Sequence, residues 1–151
     1  MYKLRRYRSR PRKGSPMQHS LRDVMVLIAR LVVGGTFLAH AYQKFVLYGI
    51  DKVIASFAGM GLPAPAAWFT AFVELLGGLA LVLGVLLPVA GVLLAAVMVG
   101  ALFTAHLGGG FFASDGGFEY VLVLAAASLA LGFSCPRYTL QAMFKRRTAT
   151  P

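Results

Sequence analysis

The sequence predicts an all-α integral membrane protein, a four-helix bundle with a short amphipathic surface helix between its first and second spans. Three observations predict it. The chain is 58% hydrophobic with only 13% charged residues and has a mean hydropathy of +0.73, values outside the usual range of a soluble domain. Four apolar stretches of near-spanning length follow one another. Those stretches also carry ionisable groups: Arg30 and His40 in the first, Glu74 in the second, His106 at the end of the third and Glu119 at the start of the fourth. A charge in hydrocarbon costs several kcal/mol or more, so these groups cannot all face lipid, and a bundle with a polar interior accommodates them.

Residues 1–20, rich in Arg, Ser and Pro, hold too little apolar surface to fold and are expected to be a disordered basic arm. Translation from Met17 instead of Met1 would remove most of that arm. The first span is expected over Val24 to Tyr42. Its basic leader and its Ala39-His40-Ala41 sequence also fit a cleaved signal peptide, but Arg30 inside the apolar run and Lys44 just after it argue against cleavage. Arg30, Phe37 and Lys44 are seven apart with Gly34 and Ala41 on the same stripe, so the basic groups share one helix face, which should point inward.

Between Phe45 and Pro65, the residues Ile50, Val53, Ile54 and Phe57 recur at helical spacing beside Asp51, Lys52 and Ser56, the pattern of a short helix lying on the membrane surface. Gly59 and Gly61 should end it. The second span, Ala66 to Leu87, holds Glu74 about eight residues from its end, roughly 12 Å deep at about 1.5 Å per residue. Glu74 shares a face with Thr70, Gly78 and Leu81, and Gly77-Gly78 offers a smooth surface for close helix packing. Pro88 marks a tight hairpin into the third span, Val89 to Leu107, with Gly91 and Ala95 on the side of His106. A glycine-rich loop, 108–117, then leads to a fourth span, Phe118 to Phe133, near the minimum crossing length, and Pro136 closes it. Residues 21–140 thus form one membrane domain, followed by a basic tail over 141–151.

The formal net charge of +10 does not point to nucleic acid, because the cations cluster before the first span and after the last. Such flanks report orientation, and with an even number of spans they place both termini on the cytoplasmic side of a cell membrane. That topology gathers His40, Lys44, His106 and Glu119 near the outer surface, with Glu74 below them and Arg30 toward the inner side. The bland reading of this cluster is that Glu74 pairs with Arg30, or with Lys44 and His40, only to lock helix register. The functional reading is an outward-facing pocket for a ligand or for proton relay, with Glu74 as deep proton acceptor, the histidines as relay groups and Arg30 holding Glu74 or a ligand anion. A haem or metal held by His40 and His106 is disfavoured, as no HExxH or paired Glu-x-x-His pattern accompanies them. The glycines of 108–117 lack the GK[ST] of a phosphate loop, and the lone Cys135 excludes an intrachain disulfide. Trp68, Tyr42, Tyr48 and Tyr120 suit an interfacial aromatic belt.

Four stretches carry a resemblance to a known family: ARLVVGGTFLAHAYQKF (Ala29 to Phe45), FAGMGLPAP (Phe57 to Pro65), AFVELLGGLALVLG (Ala71 to Gly84) and HLGGGFFASDGGFEYVLVLAAASLAL (His106 to Leu131). The chain resembles DoxX-type membrane proteins across most of residues 21–140. The resemblance implies a four-helix inner-membrane protein. The family is named for a small subunit of a thiosulfate:quinone oxidoreductase, and some members are called oxidoreductases or form complexes with oxidative-stress enzymes. Its pattern carries over to Arg30, His40, Lys44, Glu74, His106, Gly116, Gly117 and Glu119, with the two glycines shaping the loop. The chain departs from it at Ala41 and Val121, where glycine and proline are frequent.

The expectation is a small membrane subunit of a quinone-linked or oxidative-stress redox system. The sequence assigns no cofactor, quinone being the candidate and haem disfavoured, and its partners would be the lipid bilayer and other membrane or soluble redox proteins, with a homo-oligomer left open. The alternative is a non-catalytic anchor or assembly factor whose buried ions only specify packing. A transporter is disfavoured by the absence of an inverted repeat or broken span.

Overall fold

The computed structural model describes residues 16–134 and residue 139. Helix α1 runs Pro16–Tyr42 and continues as a π-helical turn, Gln43–Leu47. Helix α2 spans Ile50–Gly59, α3 Ala64–Leu83 and α4 Leu87–Ala101. A second π turn, Leu102–His106, extends α4 and passes into a 3-10 turn, Leu107–Gly109. After a further 3-10 turn, Ala113–Asp115, helix α5 covers Glu119–Gly132. No strand occurs among the described residues.

The fold is the expected four-helix membrane bundle with a short helix between the first and second long ones. Three segments are long and apolar enough to cross a bilayer: Ser20–Leu47, Ala64–Leu83 and Leu87–Gly109. Helix α5, with 14 residues, is roughly 21 Å long at about 1.5 Å per residue. That falls short of a hydrocarbon core of about 30 Å, so local thinning of the bilayer or the flanking residues must make up the difference.

Several boundaries differ from expectation. Helix α1 begins at Pro16, a residue suited to a first helical turn, so 16–20 are helical where a basic arm was expected. Residues 1–15 of that arm lie outside the described residues, as do Cys135, Pro136 and the basic tail over 141–151. Helix α3 stops at Leu83, four residues early, because Gly84 takes the left-handed conformation (φ 72°) that terminates helices. Pro88, expected at the break, lies in the first turn of α4, where its missing N–H costs nothing.

The helices pack α1 on α3, α3 on α4 and α4 on α5, with α2 laid against α3. Glycines set the closest crossings. A Cβ added at Gly34 of α1 would lie 2.8 Å from the carbonyl oxygen of Gly78 on α3, and one added at Gly77 would lie 2.8 Å from Leu94 Cγ on α4. The pair Gly77-Gly78 therefore admits α1 on one side and α4 on the other. Phe37, Leu81 and Leu94 are completely buried at the centre, while Leu76, Leu79, Val92 and Val123 stand exposed on the outside, as hydrocarbon requires. Helix α2 turns Val53 inward with Ile54 and Phe57 beside it and leaves Asp51, Lys52 and Ser56 exposed, which is the amphipathic pattern expected of it.

Candidate ligand cavity and the polar end of the bundle

The antiparallel order brings the C-terminal ends of α1 and α4 to the same end of the bundle as the N-terminal ends of α3 and α5. At that end the first π turn carries Lys44, whose Nζ donates to Glu74 Oε2 at 2.6 Å. Glu74 is 3% exposed and the Lys44 side chain 17%, so the carboxylate is enclosed while its partner reaches in from the rim. Of the pairings open from the sequence, the fold realises the one with Lys44.

The pair forms one wall of a cavity of about 360 Å³. Phe57 and Met60, with Leu62 after them, line it from the α2 side; Thr70 and Glu74 lie on α3, and Ala96, Val97, Gly100 and Thr104 lie along α4 and its π turn. Apart from the ion pair and two threonine hydroxyls its lining is apolar. Both π turns border it, through Lys44 on one side and Thr104 and Ala105 on the other. The insertion of one residue in a π turn widens the helix and shifts the register of the residues beyond it, and such turns are frequent at functional sites. Thr104 returns its hydroxyl to the Gly100 carbonyl at 2.9 Å, one turn back, a bond that loosens the helix where the second π turn starts.

The other expected site residues lie elsewhere. Arg30 is 1% exposed, and it donates from Nε to the Leu81 carbonyl at 2.7 Å and from Nη2 to the Val82 carbonyl at 3.1 Å. Those oxygens belong to the last turn of α3, where no intrahelical donor reaches them. Leu81 is seven residues beyond Glu74 in sequence, roughly 10 Å along the helix, so these bonds make Arg30 the cap of α3 where it was expected to hold Glu74 or a ligand anion. His40 lies with its ring 6.4 Å from that of Tyr120 on α5. His106 Nδ1 is 3.1 Å from the Gly116 carbonyl, and Glu119 Oε1 accepts the Ala113 N–H at 2.9 Å. His106 and Glu119 thus tie down the 107–118 loop from either end, and neither lines the cavity. Gly116 adopts φ 81°, and Gly117 is so close to the backbone of Phe111 and Phe112 that a Cβ has no room, which gives both glycines a loop-shaping geometry.

The apolar residues of the cavity carry no distinguishing signal in the sequence. Phe57, Met60, Ala96 and Gly100 look like ordinary helix packing until α2 is laid against α3, and Thr104 is a hydroxyl in an apolar run. Among the described residues no three His, Cys, Asp or Glu side chains converge as metal ligands would.

Comparison with known proteins identifies relatives of the sequence. The family model for DoxX matches residues 25–107. The chain is 33% identical over 109 residues, which cover 72% of it and 79% of the relative, to a Bacillus subtilis (strain 168) protein named "Putative oxidoreductase CatD". No solved structure matches.

Proposed function

Since the chain belongs to the DoxX family, we propose that it is a small membrane subunit of a redox system, and that the cavity beside Lys44 and Glu74 holds a quinone-like ligand and passes protons. The single observation that carries this reading is the ion pair set into the wall of an otherwise apolar cavity. A pair that merely locked helix register would be equally served by close packing without free volume beside it. Lys44 Nζ keeps donors that the carboxylate does not use, and Glu74 Oε1 is left for a second partner, so a ligand carbonyl or hydroxyl would find both a donor and an acceptor.

Reduction of a quinone-like ring takes two electrons, which a partner redox protein would supply, and two protons. In this reading Glu74 delivers the protons and Lys44 compensates the carboxylate between deliveries. His40, His106 and Glu119, at the same end of the bundle, supply the polar path toward the outer surface, and Arg30 maintains the opposite end of α3. The name of the B. subtilis relative supports a redox role. Flanking Lys and Arg support an inner-membrane location with both termini cytoplasmic, which reporter fusions at either end would check. Quinone-dependent electron transfer in native membranes should collapse on Glu74→Gln with the protein still inserted at normal level; unchanged transfer would refute the proposal.

A further inference from the structure

Helix α2 differs from the other helices in how it is held. A glycine precedes it and another follows it in conformations that side-chain-bearing residues rarely adopt: Gly49 at φ 78°, ψ 144° and Gly61 at φ 77°. Nothing lies within 4 Å of where a Cβ would be at either one, so these glycines answer to the backbone angle alone and not to crowding. Val53 is the one buried residue of α2. Helix α2 rests on α3 and on the first π turn, with no comparable contact to α4 among the described residues. Yet Phe57 on α2 and Met60 just after it face the cavity from one side, while Ala96 and Gly100 of α4 face it from the other. The small α4 residues and the large α2 residues line opposite sides of a gap that is partly open. An element with few buried contacts and a permissive joint at each end opens at low free-energy cost.

We infer that α2 is a hinged flap and that the cavity fills sideways from the bilayer, through the gap between α2 and α4, with an uncharged ligand already dissolved in hydrocarbon. The ligand class is set by the route and the lining. The gap lies among apolar side chains, and the internal ion pair leaves no net charge to neutralise an ionic guest. The inference rests on reading the cavity as a ligand site, but not on the redox chemistry proposed for it.

The test locks the flap. In a Cys135→Ser background, Met60→Cys and Thr104→Cys place thiols on opposite sides of the gap, and a flexible bis-maleimide joins them. The apolar photoprobe adamantyl diazirine is then activated in reconstituted bilayers, and labelling is located by mass spectrometry at the cavity residues Thr70 and Val97, with lipid-facing Leu76 as internal reference. The unjoined protein should label at Thr70 and Val97, and joining should reduce that labelling by about tenfold relative to Leu76, because the open population is removed. Equal cavity labelling in the joined and unjoined forms overturns the flap, as does a failure of the unjoined form to label there. The unjoined protein controls for folding of the double variant. The readout involves no electron transfer, so a negative result for quinone-dependent activity leaves it standing.

Discussion

Lys44 and Glu74 meet at 2.6 Å, and the contact joins the π turn that ends α1 to the middle of α3. The ring of Phe45 on that turn also meets Trp68 and Phe72 of α3 in tilted contacts, with centroids 6.2 and 5.5 Å away. The ion pair and the rings together fix the end of α1 against α3, and that fixes the cavity wall. An enclosed ion pair is an expensive way to join two helices, because the desolvation of both charges offsets much of their attraction. Its effects on stability and on function can therefore be separated by experiment.

Removing one partner should be worse than removing both. Lys44→Met alone leaves a carboxylate enclosed without compensation and should cost about 3–5 kcal/mol, whereas Lys44→Met with Glu74→Gln should recover most of that. Thermal unfolding in mild detergent measures the three forms. A double variant that is stable but inactive in quinone-dependent transfer separates the functional role from the packing role.

Arg30→Ala should destabilise without touching the cavity. It strips the Leu81 and Val82 carbonyls of their donors, a loss of about 1–3 kcal/mol for each buried group left unsatisfied. Cavity labelling by the apolar photoprobe should persist in the folded fraction. Gly84, pressed against the guanidinium, should tolerate Ala poorly in the native protein and better in the Arg30→Ala background, apart from the strain of its positive φ.

The helix crossings predict an opposite pair of glycine responses. Gly78→Ala drives a methyl to 2.9 Å from the Gly34 carbonyl oxygen and should cost about 1–3 kcal/mol through forced separation of α1 and α3. Gly35 has nothing within 4 Å of its Cβ position, so Gly35→Ala should be neutral or stabilise by about 0.5–1 kcal/mol through helix propensity. Unfolding midpoints of the two variants check the contrast.

Loop order should depend on Glu119 and His106. Glu119→Ala removes the acceptor of the Ala113 N–H, a bond worth about 1 kcal/mol. Amide exchange should then rise several-fold across 111–118 while α3 and α4 keep their protection. His106→Ala should give the same local pattern by releasing the Gly116 carbonyl. Exchange that spreads into the helix cores would contradict a purely local tie.

The order of the helices, the surface position of α2 and the value of Gly77-Gly78 as a packing face were all legible in the sequence, because each depends on periodicity, composition or residue size within one segment. The end of α3 was less legible. Gly84 and Pro88 compete as stop signals, and Gly84 prevails because a left-handed residue halts a helix outright, whereas proline is tolerated in the next one's first turn.

What the sequence by itself determined is that an apolar chain with embedded ions must become a membrane bundle and that Glu74 must find a partner. Which partner was a tertiary decision. Arg30 and Lys44 share one stripe of α1, and either could serve by charge, but the crossing at Gly34 and Gly78 slides α1 along α3 until Arg30 reaches the open carbonyls at the end of α3 and the π turn delivers Lys44 to Glu74. The cavity was decided in the same way, since free volume belongs to no segment. It exists because α2 folds over α3 and stops short of small residues on α4.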